Sequence, residues 1–206
     1  MSETELYLRS ARAYIDVVRA VGDDDWSRPA LGEWDVRDLV GHTTRALTTV
    51  VEYLATPEPA AGDVITAPEY YIRFATSADR AAADRAVAER GRLAGADLGD
   101  DPVSRVSSLV DEAERALAGV AGGRPVATRF GSLRLEEYLR TRTFELVVHG
   151  LDLTRALGAP AALVPPAGVA AALELAVQTA ALSETGPQVL AALTGRGGLP
   201  PGFSVL

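Results

Sequence analysis

The sequence predicts an all-α protein, a helical bundle with further helices towards the C-terminus. Three observations carry this. Apolar residues recur at helical spacing through the long segments, from Leu6, Val17 and Val18 to the run around Phe144. No run alternates long enough to argue for a sheet. Helix punctuation falls at the segment ends: Asp35, Pro102 and Ser132 at starts, Gly22 and Gly158 at stops. A length of 206 residues with an apolar fraction of 48% suits one domain of generous size, or one with an appendage, and is enough for a core.

The elements follow in order. Residues 3–21 read as a first helix, stopped by Gly22 and Asp23 to Asp25. Residues 26–34 read as a loop with Pro29, Gly32 and two tryptophans; Trp26 and Trp34 read as core anchors rather than a ligand cage. Asp35 is a good N-cap for a helix from about Val36 to Leu54, and Asp38 suits its positive end. Residues 55–68 read as a loop, and a third helix runs from Pro68 to about Leu93. Its stretch at 78–92 is a solvated or partner-facing surface, and its alanines leave a homodimer open. Pro102 opens a fourth helix to about Val120. Gly122 to Pro125 breaks the pattern, and 126–131 suits a short extended piece. Ser132 is the expected cap of a long helix from about Leu133 to Leu157. After Pro160, Pro165 and Pro166 come an apolar helix at 167–183, a short one at 188–193 and a coiled tail. The expected division is a bundle at 1–160, with 161–206 as a helical extension and tail packed on the same domain.

Composition excludes several chemistries. A net charge of −8 and a pI near 4.8 argue against a nucleic-acid partner. The apolar runs are too short for a membrane span, and the acidic start Met-Ser-Glu-Thr-Glu lacks a signal-peptide pattern, so a cytoplasmic location is expected. There is no Cys, hence no disulfide, thiolate ligand or cysteine nucleophile of the chain's own. All 20 basic residues are Arg, which removes Schiff-base and P-loop lysines.

The chain's two histidines mark the candidate site. Glu145 and His149, four residues apart, project from one face of the long helix, about 40° apart around its axis. That face also holds Tyr138, Thr141, Arg142 and Asp152. His42 shares a face of the second helix with Asp38, Leu39, Arg45, Ala46 and Thr49. A polar stripe facing a mixed one suggests a partly wet cleft. Two His and one carboxylate suit a divalent metal with an open position: zinc first, with nickel, cobalt or iron accepted by the same donors. The same spacing also suits a surface pair of Glu145 with Arg142 or Arg155 and an ordinary half-buried His149, and spacing alone does not separate the two readings.

The residues then become specific. Leu31-Gly-Glu-Trp34-Asp-Val-Arg-Asp38-Leu-Val-Gly-His42 resembles a signature of the mycothiol-dependent maleylpyruvate isomerase family, within the wider DinB-like four-helix metalloenzymes. Tyr138-Leu-Arg-Thr-Arg142-Thr-Phe-Glu145-Leu-Val-Val-His149-Gly-Leu-Asp152-Leu resembles its second signature, and Ala192 to Pro200 resembles the ending of many members. The resemblance implies a DinB-like four-helix bundle with additional C-terminal helices. It implies that His42, Glu145 and His149 bind the metal, and that a small-molecule thiol, typically mycothiol, is the cosubstrate. The catalytic group is then the metal-bound thiolate of that cosubstrate, attacking a small electrophilic substrate. The isomerase that names the family has a sterol-carrier-like C-terminal domain, whereas residues after 160 here suit one or two helices and a tail. The expectation is therefore thiol transfer or isomerisation more broadly, with a non-catalytic binding module as the alternative. Asp38 and Asp152 are candidates to orient the histidines, and Arg142 to hold a substrate carboxylate. Tyr71 and Arg73 would line the cleft only if the third helix packs there, which no motif decides.

Overall fold

In the structure, a computed structural model, residues 1–59, 63–77 and 80–205 are described. Four helices form the central bundle: α1 (Glu3–Arg19), α2 (Val36–Leu54), α5 (Pro102–Leu117) and α6 (Leu135–Leu157). α1 and α2 each pack on both α5 and α6, so the four enclose a common core. α3 (Ala67–Ala75) lies against α6 and α7 (Pro166–Ala181), α4 (Arg80–Ala96) runs along the outside of α2, and α8 (Gly186–Leu193) packs on α7. The all-α DinB-like bundle is the architecture observed.

Buried tyrosines tie the helices by their hydroxyls. Tyr7 of α1 donates to the Ala46 carbonyl of α2 at 3.0 Å, and Tyr138 of α6 donates to Thr49 Oγ1 of α2 at 2.7 Å. The second bond joins the two stripes read from the sequence. Each ring fills core volume while its one polar atom is satisfied, which a buried hydroxyl requires.

The sequence reading needs correction at three places. Two antiparallel pairs are present: β1 (Pro29–Leu31) with β2 (Trp34–Asp35), and β3 (Pro125–Thr128) with β4 (Gly131–Arg134). Strands of two to four residues are too short to show alternation. The first pair turns through Gly32, whose φ of 58° favours glycine. Second, Ser132 does not cap α6. It sits in β4 opposite Ala127, and its carbonyl accepts from Ile65 N at 2.8 Å. α6 begins at Leu135, where Leu135 N and Glu136 N donate to the carbonyls of Arg124 and Gly122 at 2.7 and 2.9 Å. The hairpin backbone thus does what a capping side chain would otherwise do.

Third, the expected helix from Pro68 to Leu93 is two helices. Thr66 and Glu69 form a capping box that starts α3, and Thr76 ends it by donating its backbone N–H and hydroxyl to the Ile72 carbonyl at 2.9 and 2.8 Å. Residues 78 and 79 of the stretch read as a surface lie outside the described residues. The later part of that stretch has two faces: Asp84, Arg85, Glu89 and Arg92 are exposed, while Ala88 and Gly91 are buried against the rest of the molecule. α4 meets α2 so closely that a Cβ on Gly41 would lie 2.1 Å from the Gly95 nitrogen. A Cβ on Gly91 would lie 2.9 Å from the Trp34 ring. Small residues are what allow this approach.

Candidate metal centre

α2 and α6 pack side by side, and this brings His42 to the turn of α6 that carries Glu145 and His149. Glu145 Oε2 lies 3.8 Å from His42 Nε2 and 3.3 Å from His149 Nε2. All three donor atoms fall within 4.8 Å of one another, the one such group among the described residues. Donors about 2.1 Å from a tetrahedral zinc stand roughly 3.4 Å apart, so this arrangement needs only small adjustments to close on an ion. Two imidazole nitrogens and one carboxylate oxygen are also the right chemistry for a divalent metal.

The carboxylate is oriented from outside the trio. Tyr71 of α3 donates to Glu145 Oε1 at 2.8 Å, which leaves Oε2 turned to the histidines. Burial opposes the charge on Glu145, but contacts from His149 and His42 and the field of Arg142 outweigh it and hold the carboxyl well below its usual range. Burial raises the Tyr71 phenol well above its ordinary value, and the Glu145 charge raises it further, so it remains a proton donor.

The two histidines are held differently. His149 Nδ1 lies 3.2 Å from Asp152 Oδ2, and Arg155 donates to Asp152 Oδ1 at 2.9 Å. With the His149 proton on Nδ1, its Nε2 lone pair points to the shared centre, the usual support for a ligating imidazole. Burial disfavours a second proton on this ring, yet the carboxylates of Asp152 and Glu145 prevail and its pKa is pushed up to about 9. His42 has no such partner. Its Nδ1 is buried without a hydrogen bond. Its ring instead packs against Trp34 at a centroid distance of 4.5 Å and 32°, and meets His149 edge-on at 4.8 Å. Trp34 is anchored in turn by donating Nε1–H to the Ala88 carbonyl at 3.2 Å. Burial lowers the His42 pKa and the nearby His149 lowers it further, against the pull of Glu145, so its neutral form is the one present near pH 7.

The remaining candidates fall as follows. Asp38 makes no bond to His42; its backbone N–H donates to the Asp35 cap at 2.8 Å, and burial raises its carboxyl pKa. Arg142 is 9% exposed and lies one turn before Glu145. Its Nε donates to Thr141 Oγ1 at 3.1 Å, and its guanidinium sits over Tyr138 and Tyr70 at 5.1 and 6.0 Å. No Arg142–Glu145 ion pair forms among the described residues. Arg73 is directed away, donating to the Phe130 carbonyl at 3.0 Å.

A family profile described as Mycothiol maleylpyruvate isomerase N-terminal domain matches residues 7–154. This span is most of the chain and contains all three donors and Asp152. The chain belongs to that family. No curated protein and no solved structure matches it. Family membership and the His/Glu/His cluster together point to metal binding in a mycothiol-related helical domain. No described helix is long and apolar enough to cross a membrane. Asp152 orients His149 as the sequence suggested, whereas the place of Tyr71 was left open there. Tyr71 stands 74 residues from Glu145, and nothing in its spacing signals the contact. Trp34 had a faint signal, an aromatic eight residues before His42 on the same capped helix start.

Proposed function

We propose that this chain is a metal- and thiol-dependent transferase or isomerase acting on a small electrophile, with mycothiol as the cosubstrate. The observation that supports it best is the division of labour at the donors. Tyr71 takes one oxygen of Glu145 and Asp152 takes one nitrogen of His149, so the remaining donor of each faces the same point as His42. A divalent metal held there, zinc by preference, would lower the pKa of a thiol and favour its thiolate at neutral pH.

The chain's residues do the rest. Trp34 and Asp152 fix the imidazoles, and Tyr71 fixes the carboxylate. Arg142 offers a buried guanidinium for a substrate carboxylate. In the reaction, the thiol loses its proton and its sulfur forms a bond to an electrophilic carbon. In transfer, a leaving group departs with the bonding pair or the carbon framework takes up a proton. In isomerisation, the sulfur leaves again after rotation about the carbon–carbon bond. A cytoplasmic setting, where such thiols stay reduced, belongs to the same proposal.

The test is metal content and conjugate formation. Protein purified without chelator is expected to hold about one metal per chain by elemental analysis, with His42→Ala and His149→Ala each losing it. Incubation with mycothiol and a panel of carboxylated electrophiles is then expected to give metal-dependent products by mass spectrometry. Stoichiometric metal with no product from any electrophile would assign the chain as a binding module instead. Wild type without metal would overturn the enzymatic reading and leave a metal-free ligand-binding module.

A further inference from the structure

On the face of α6 turned away from the histidines, a second cleft opens between α6, α7 and the start of α1. Its cavity is about 290 Å³ and is walled by Glu3, Glu136, Glu137, Arg140, Glu174 and Gln178, with Thr143 among its lining residues. That volume equals roughly ten water molecules and lies at the small end of ligand sites.

The charges are arranged, not scattered. Arg140 donates to both oxygens of Glu137, at 3.0 and 3.1 Å, and also to Gln178 Oε1. Gln178 passes its amide to Glu174 Oε1 at 3.0 Å. Glu137 also accepts from Ala67 N at 2.7 Å, which fixes it against α3. Arg140 therefore balances one of four carboxylates, and the wall carries a net charge of about −3 at neutral pH. Burial raises the Glu3 pKa most; the charges of Glu137, Glu174 and Glu136 add to it against the pull of Arg140.

A second observation is independent of the acids. Thr143 is 1% exposed and its Oγ1 has no hydrogen-bond partner. The other buried helical threonines satisfy themselves on their own helix. Thr43, Thr49 and Thr179 donate four residues back, to Leu39, Arg45 and Leu175, while Thr44, Thr141 and Thr154 donate three residues back, to Gly41, Tyr138 and Leu151. Thr143 departs from this pattern, and it does so beside the cleft. A buried hydroxyl left unpaired costs stability unless something occupies its site.

The geometry points to this cleft as a binding site for a small organic di- or polyammonium ion. A bare divalent cation does not fit as well. The carboxylates do not converge, since the one group of three acidic or histidine donors within 4.8 Å among the described residues is at His42. A ligand here must reach separated carboxylates at once, with N–H donors several ångströms apart and a short apolar stem between them. Thr143, which lines the cleft, offers its unpartnered hydroxyl as one further acceptor for an ammonium.

Calorimetric titration of the full chain with 1,4-diaminobutane and with spermidine, at ionic strength held constant with NaCl, tests this. Saturable one-to-one binding is expected for at least one of the two. The double variant Glu3→Gln/Glu174→Gln, changed only at partly exposed positions, is expected to weaken it at least tenfold. Thr143→Val is expected to weaken it several-fold while the melting temperature holds or rises, because the variant removes an unsatisfied hydroxyl. His42→Ala is expected to leave diamine binding unchanged, which separates this site from the metal centre. The absence of saturable heat with both amines, equal binding by the double variant, or equal competition by MgCl2 at the same concentration would each reduce the cleft to an acidic surface and overturn the assignment.

Discussion

The two helices that build the metal centre hold their histidines by opposite means. On α6, His149 is held by charge: Asp152 behind it, Arg155 behind Asp152 and Glu145 in front. On α2, His42 is held by packing: Trp34 lies against the ring, α4 lies against Trp34, and Nδ1 is buried without a partner. The difference shows in protonation. The α6 ring gains basicity and the α2 ring loses it. One side of the site is set by a local i, i+3 relation on one helix, the other by Trp34 just ahead of the His42 helix and by α4, which meets Trp34 at Ala88, 54 residues further on.

The largest effect should come from breaking the packed side. Gly41→Ala drives a methyl into the Gly95 backbone, so α2 and α4 must separate. A loss of about 3 kcal/mol or more is expected, measured by chemical denaturation, with metal affinity falling because His42 moves with the helix. A variant of wild-type stability would show that the close approach is not required. On the charged side, Asp152→Asn should leave the fold intact and reduce metal affinity by about 10- to 100-fold in a chelator competition. Undiminished affinity in that variant would mean that His149 does not depend on its carboxylate.

The proton on His149 sharpens the contrast further. Its folded pKa of about 9 lies above the ordinary 6.5, so protonation stabilises the metal-free fold fully below about pH 6.5, and that contribution is lost as pH rises through about 9. A metal must displace this proton. Affinity should therefore rise roughly tenfold per pH unit over this window and flatten above it. The plateau should begin at lower pH in Asp152→Asn; a profile flat from pH 6.5 would show that the ring is already neutral. The smallest effect is expected for Tyr71→Phe, which removes one donor from Glu145 Oε1. A loss of about 1 kcal/mol in metal binding, several-fold in affinity, is the expected size. A much larger loss would place Tyr71 among the principal supports.

The sequence showed best what lies on one helix. The Asp35 cap, the α2 limits, the left-handed Gly158 at the end of α6 and the shared face of Glu145, His149 and Asp152 all follow from local spacing. Asp38, four residues before His42, has the same kind of spacing, yet the structure records no bond between them. On α2 the ring is turned to Trp34 and the metal side instead. The extended piece expected at 126–131 is part of the hairpin that starts α6, but its pairing was hidden because the strands are four residues long and the α6 caps are backbone carbonyls, which no residue type announces. The division between α3 and α4 was hidden in an alanine-rich run whose composition favours helix throughout. The Tyr71 contact depends on where α3 packs, which its distance along the chain conceals, and nothing in the sequence sets Thr143 apart from the other buried threonines.

The meeting of Gly41 with Gly95 also bears on how fast the site can exchange its contents. Between these backbones there is no side chain to swing aside. Opening that wall means moving a helix, which takes microseconds to milliseconds. On the Tyr71 side the neighbours of the centre are rings and not backbone: Tyr71 holds Glu145 and stands edge-on to Tyr70 at 5.4 Å. Exchange of the site's contents past α4 therefore waits on a helix, whereas displacement of the Tyr71 ring needs only side chains to move.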